Sequence, residues 1–159
     1  ALKCENVKNS YRLILYGNTI SNEKWNQLGL SEIAEYRGWL DYSKDVSTLK
    51  DIDVFLQLLD DNNVSKAGWP NKLGDYLAFG KPVILSPYGD IIDFVKNEKG
   101  FFIVELKILQ EIKDIPYSDL KTMGYANRQL AEKISWKNRA KNIEYICNKI
   151  RFNNETVKN

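Results

Sequence analysis

Apolar positions in this chain come as short runs set between longer amphipathic stretches. Arg12–Tyr16 (RLILY), Ala34–Trp39 (AEYRGW), Asp53–Leu59 (DVFLQLL), Pro82–Ser86 (PVILS) and Phe101–Val104 (FFIV) have the composition and length of strands. Helices are predicted between them over Asn22–Gln27, Val46–Asp51, Pro70–Phe79, Asp90–Asn97 and part of Glu105–Lys113. Strands alternating with helices build βαβ crossovers. The expected fold is therefore α/β, a Rossmann-like parallel sheet sandwiched by helices, with ligands at the carboxyl ends of its strands. From Tyr117 onward the spacing is helical: Leu120, Met123, Leu130 and Ile134 mark one face. After Ser135 as N-cap, Trp136, Ala140, Ile143, Cys147 and Ile150 mark another, at steps of three and four. Both faces are expected to pack on a single domain spanning 1–152, followed by a polar, frayed tail over Asn153–Asn159.

Composition narrows the chemistry. At 159 residues, 43% hydrophobic and 28% charged, the chain can bury one ordinary core. Its 23 basic and 21 acidic residues are interleaved, for a net charge of +2, so no basic block marks a nucleic-acid partner or a membrane surface. The absence of histidine excludes imidazole acid–base chemistry, and Cys4 and Cys147, at opposite ends of the chain, have no zinc-type spacing. So sparse a pair fits reduced thiols in a cytoplasm. No apolar run approaches the ~20 residues of a membrane span, and no signal peptide is visible. The chain opens on Ala1 and on what reads as the end of a helix, which suggests an excised or trimmed piece.

One stretch, KAGWPNKLGDYLAFGKPVIL (residues 66–85), concentrates candidate chemistry. Pro70 suits a first helical turn and Gly80 the residue just past a helix end. A helix that follows the Asp53–Leu59 strand turns its free N–H groups and positive dipole end towards the carboxyl edge of the sheet, where an anion could sit. Lys72 adds full positive charge there. Asp75, three residues on and on the same face, can accept hydrogen bonds from hydroxyl groups. A diphosphate and a ribose would satisfy both, whereas the plain alternative is a solvated Lys72–Asp75 pair on a well-capped helix. Gly68 and Gly74 read as turn or close-packing residues. Gly74, inside the helix, costs about 0.8–1 kcal/mol relative to alanine, which a close neighbour or ligand would explain.

PNKLGDYLAFGKPVILS resembles the P-x-K-L-x-E-Y-M-A-x-G-K-P-V signature of the retaining GT-B glycosyltransferases of the GT4 type. Flanking segments agree in order: RLILYGN, YRGWL and DIDVFLQLL before it, GDIIDFVKNEKGFFIV and ISWKNRAKNIEYI after it. The resemblance covers nearly the whole chain, as the C-terminal, nucleotide-sugar-binding half of such an enzyme. It implies that Lys72 and the backbone of Leu73 hold the donor diphosphate and that Asp75 binds the ribose hydroxyls. The turns Gly17-Asn18 and Trp39-Leu40 would flank the diphosphate side and the base. The loop Ala67–Asn71, with Gly68 and Trp69, would face the donor sugar through backbone amides.

Two departures stand out. Ala67 occupies the place of the family's glutamate eight residues before the ribose-binding acid, so it offers no carboxylate to a sugar hydroxyl. The opening strand and its G-R…K-G segment are also absent, which leaves Lys72 as the implied catalytic cation. Neighbouring strands would then close up or another segment fill the gap. Chemistry would be electrostatic, with neither cofactor nor metal: the helix dipole and Lys72 stabilise charge on the departing nucleoside diphosphate. By the family's habit, the donor would be a UDP- or other nucleotide-activated hexose. The acceptor, a lipid-linked or surface glycan, would be bound by an N-terminal domain. The setting would be bacterial surface polysaccharide (O-antigen or capsule) synthesis in the cytoplasm, peripherally at the inner face of the membrane. The isolated half is expected to bind its donor but hardly turn over.

Two other classes compete. A phospho-receiver would place Asp60, Ser86 and Lys107 at the ends of successive strands, but it needs an acidic pair after its first strand for Mg²⁺, where Tyr16-Gly17-Asn18 stands. Asp60 and Asp61 then read as a solvated loop pair. A non-catalytic αβ interaction module would draw on the four Trp and nine Tyr residues, although Trp39 and Trp136 also suit core or rim packing. No G-x-G-x-x-G follows any strand, which disfavours a Rossmann dehydrogenase.

Overall fold

In the computed structural model, residues 10–18, 21–27, 29–104 and 111–156 are described, with side chains as far as 151. Each apolar run contributes a three-residue strand: β1 (Leu13–Leu15), β2 (Ala34–Tyr36), β3 (Phe55–Gln57), β4 (Val83–Leu85) and β5 (Phe101–Ile103). The helices are α1 (Asn22–Gln27), α2 (Asn63–Ala67), α3 (Asn71–Ala78), α4 (Asp90–Val95), α5 (Tyr117–Lys133) and α6 (Trp136–Thr156), and Val46–Asp51 forms a 3₁₀ helix. Residues 105–110, most of the helix expected over Glu105–Lys113, lie outside the described residues, as do Cys4, Lys107 and residues 157–159.

All strand pairings are parallel, as the alternation requires, but they form two sheets where one was expected. β1 pairs with β2, with Leu13 opposite Ala34, and β3-β4-β5 form the other sheet, with Phe55 opposite Val83 and Val83 opposite Phe101. The doubly wound strand order 3-2-1-4-5-6 places one further strand between the elements that correspond to β1 and β3. Among the described residues, β1 and β3 have not closed up on each other and no other strand lies between them.

The core belongs to the three-stranded sheet. Leu49, Phe55, Leu73, Leu77, Val83, Leu85, Ile91, Val95 and Leu130 form one buried cluster. β4 is buried along its length, as a strand covered on both faces should be. α3 turns Leu73 and Leu77, one helical turn apart, into this core, and Tyr76 stacks on Phe55 of β3 with centroids 4.4 Å apart and planes at 5°. α5 lies against α3 because Gly124 lets it approach: a Cβ on Gly124 would fall 2.1 Å from the Gly80 carbonyl oxygen. Gly80 ends the α3 segment with φ +66°, as expected from its place past the helix end. Buried Asn127 completes the joint, its Nδ2 donating to the carbonyls of Lys81 and Gly100, each at 2.8 Å.

The C-terminal helix departs from expectation. The Ser135 hydroxyl accepts from the Asn138 amide at 3.4 Å, in keeping with an N-cap, and Leu130 of α5 packs as the spacing required. The α6 face does not: Trp136 is 85% and Ile143 62% exposed, and Ala140, Cys147 and Ile150 are exposed too. Periodicity marks an apolar stripe without saying what covers it, and nothing among the described residues does.

Candidate functional site

The site expected from the sequence lies at the start of α3. Because β3 and β4 are parallel, the helix between them runs back along the sheet, and its N-terminus stands at the carboxyl edge of β3. Pro70 is the N-cap residue; it provides no side-chain cap, and no acidic residue stands in the first turn. The positive end of α3 is thus left uncompensated by its own sequence. Lys72 is exposed there, while Leu73, next in sequence, is fully buried and anchors the turn.

Asp75 is half-buried, and no ion pair joins it to Lys72 among the described residues. Tyr42 comes between them. Its hydroxyl donates to Asp75 Oδ2 at 2.9 Å, and Lys72 Nζ stands 5.5 Å from the centre of its ring. Burial first, then the hydrogen bond to Asp75 and its negative charge, push the Tyr42 phenol up to about 12. The solvated i,i+3 pair is therefore not what forms. Tyr42 lies in a turn braced by Asp41, whose Oδ1 accepts from the Ser43 hydroxyl (2.6 Å) and amide (2.9 Å), and whose amide donates to Asp45 Oδ2 at 3.0 Å. The same Ser43 contacts, with Lys44, hold the Asp41 carboxyl below the usual carboxylate range.

The other expected contributors gather unevenly. Gly17 and the turn after β2 meet through the Gly17 amide, which donates to the Gly38 carbonyl at 2.9 Å, while Tyr36 Oη donates to the Gly17 carbonyl at 2.9 Å. Asn18 is exposed beside them. Trp39 is 71% exposed, which makes it neither core nor closed rim, whereas Leu40 packs against the buried cluster. Ala67 and Gly68 are not all loop: Ala67 ends α2, Gly68 is its C-cap, and Asn62 caps the helix by accepting from the Ser65 amide at 2.9 Å. Trp69 packs edge-on to Phe94 of α4, with centroids 5.0 Å apart, and Asn71 opens α3 as an exposed residue. Among the described residues, nothing beyond its own helical turn lies within 4 Å of where a Gly74 Cβ would stand. Its packing explanation fails; Gly124 is the glycine that packing requires.

Sequence reasoning missed Tyr42 and α2. The signal for α2 was Asn62, a good N-cap residue before a five-residue segment too short for periodicity to register. Tyr42 carried no signal beyond being the aromatic in a polar turn, DYSKD. For the receiver reading, the Ser86 hydroxyl is taken up by the backbone of Leu59, accepting from its amide at 2.6 Å and donating to its carbonyl at 3.0 Å. Asp60 and Asp61 are both exposed after β3, as a solvated loop pair should be, and Asp61 also makes an ion pair with Lys66 of α2 at 2.5 Å. A cavity of about 250 Å³ lined by Tyr11, Arg12, Ile33 and Glu35 lies beside β1 and β2, on elements other than α3.

Comparison of the fold with solved structures is informative. The chain superposes on sucrose-phosphate synthase from Thermosynechococcus elongatus with a TM-score of 0.61 and 15% identity, over 87% of this chain and 38% of that one. Anabaena HepE, solved in complex with UDP and glucose, matches with a TM-score of 0.55 and 15% identity, over 82% of this chain and 40% of that one. AviGT4, a glycosyltransferase involved in avilamycin A biosynthesis, gives 0.53 and 12%, over 84% and 44%. The chain has the Rossmann-like fold of a GT-B half-domain. It spans about two-fifths of the length of each of these structures. No family model matches the sequence, and no curated protein does.

Proposed function

We propose that this GT-B half-domain binds a nucleoside-diphosphate sugar at the start of α3 and serves as the donor half of a retaining glycosyltransferase of the GT4 type. The observation that carries the reading is the presence of Lys72 and Asp75 together on the first turns of a helix with no side-chain N-cap, whose positive end faces the carboxyl edge of the sheet. The resemblance of residues 70–86 to the family signature and the GT-B fold support it together. The fold alone hosts many functions, so the weight rests on the site.

In this reading Lys72 and the amide of Leu73 receive the diphosphate, and Asp75 receives the ribose hydroxyls. As the glycosidic bond breaks, negative charge grows on the departing diphosphate, where the helix end and the Lys72 ammonium stabilise it. Gly17 and Asn18 flank the diphosphate side, Trp39 and Leu40 flank the base, and the Ala67–Asn71 segment faces the sugar. The donor is a UDP-hexose, and the acceptor is a lipid-linked or surface glycan held by another part of a longer enzyme. The setting is assembly of a bacterial surface polysaccharide in the cytoplasm, at the inner face of the membrane.

The test is calorimetric titration of the chain with UDP, GDP, ADP and dTDP, with and without Mg²⁺. One diphosphate is expected to bind selectively without the metal. Lys72→Ala and Asp75→Ala should each weaken that binding by about tenfold or more, since each removes a charged hydrogen-bonding partner worth ~1.5–3 kcal/mol. Unchanged affinity in both variants would overturn the assignment.

A further inference from the structure

We propose that Tyr42 is a latch on this site, its hydroxyl occupying the Asp75 carboxylate in the unliganded chain and giving way when the ribose of a nucleoside diphosphate arrives. The inference rests on the donor-binding reading and adds a residue that the signature does not contain. One side chain engages both groups assigned to the ligand, donating to Asp75 Oδ2 at 2.9 Å and lying under the Lys72 ammonium at 5.5 Å. A ribose hydroxyl would need the acceptor that Tyr42 now uses, and a diphosphate would draw Lys72 from the ring.

The surroundings suit movement of the side chain without movement of the turn. Tyr42 is 42% exposed, so its ring can rotate towards solvent. The backbone beneath it is fixed by Asp41, through the Ser43 and Asp45 contacts and an ion pair to Lys44 at 3.2 Å. With its phenol pushed up to about 12, Tyr42 remains a protonated donor throughout the physiological range.

The latch weakens binding, because the ligand must replace an existing charge-assisted hydrogen bond. Titration of the 159-residue chain with UDP, GDP, ADP and dTDP is compared for the parent, Tyr42→Phe, Asp75→Ala and the double variant. Tyr42→Phe keeps the ring under Lys72 and removes only the hydroxyl. It should tighten binding by about three- to tenfold, the reach of one net hydrogen bond. Asp75→Ala should weaken binding, and Tyr42→Phe should add nothing on the Asp75→Ala background, because that variant leaves the Tyr42 hydroxyl no acceptor to occupy. A gain in affinity is a result that a merely structural tyrosine cannot give. If the parent binds and Tyr42→Phe binds equally or more weakly, the latch is overturned while the donor site stands. An equal gain on the Asp75→Ala background also overturns it. If no folded variant binds any of the four nucleotides, the donor reading falls and takes the latch with it.

Discussion

The two sheets are built from strands of equal length, yet they are held in different ways. In the β3-β4-β5 sheet burial centres on the middle strand and the helix over it: β4 is buried throughout, Phe55 on β3 is buried, Leu73 and Leu77 of α3 have no exposed surface, and β5 at the edge is half-buried. Around β1 and β2 every strand residue is only half-buried. Polar contacts contribute instead: Arg12 and Arg37 both bind Glu35, Tyr16 Oη meets Thr48 Oγ1 at 3.0 Å, and Tyr36 Oη reaches the Gly17 carbonyl. The candidate site straddles this contrast. The well-packed part presents Lys72 and Asp75 on α3; the loosely packed part presents Tyr42. A fixed pair of ligand groups faced by a side chain on a less buried support is an arrangement in which the tyrosine, and not the helix, should yield.

Core truncation gives the largest expected effect. Leu77→Ala removes a fully buried side chain and should destabilise the chain by about 2–5 kcal/mol in urea unfolding. Leu15→Ala on half-buried β1 should cost about 1 kcal/mol. Equal losses would mean that the two parts are packed alike. Gly124→Ala comes next: its Cβ would meet the Gly80 backbone, forcing α5 away from α3 at about 1–3 kcal/mol. Gly74→Ala should do the reverse and stabilise by about 0.5–1 kcal/mol, because its Cβ enters open space within a helix. If Gly74→Ala stabilises the chain but abolishes nucleotide binding, the glycine is there for a ligand's approach. If it destabilises, α3 is more closely covered than the structure shows.

The well-packed part is also the part most legible in sequence. Pro70 and Gly80 bracketed α3 because helix ends are set by local chemistry, and the PVILS run revealed β4 because a strand covered on both faces reads as continuously apolar. Lys72 and Asp75 were legible for the same reason: their positions on one helix follow from spacing alone. Tyr42 was not, because its partner is 33 residues away and only the tertiary fold joins them. The α5 and α6 stripes looked alike, yet one meets α3 and the other meets nothing described. Nor could periodicity show that β1 and β3 would stay apart, since strand patterning gives faces and not neighbours.

The smallest expected effect concerns pH and the polar support of β1 and β2. Glu35 is held below the usual carboxylate range, chiefly by its hydrogen bond from Arg37 and then by the one from Arg12. A carboxyl whose folded value is depressed binds fewer protons folded than unfolded, so its contribution is complete above the ordinary value near ~4.3 and is lost as pH falls through the folded value. Glu35→Gln removes the charge and with it this dependence. The urea midpoints of parent and variant should therefore differ modestly at pH 7 and converge below about pH 4. The gap should be small because Arg12 is largely and Glu35 partly exposed, and solvent screens such pairs. A gap that persists unchanged to pH 3 would mean that Glu35 acts through packing of its stem, and the contrast between a buried half and a polar half would have to be redrawn.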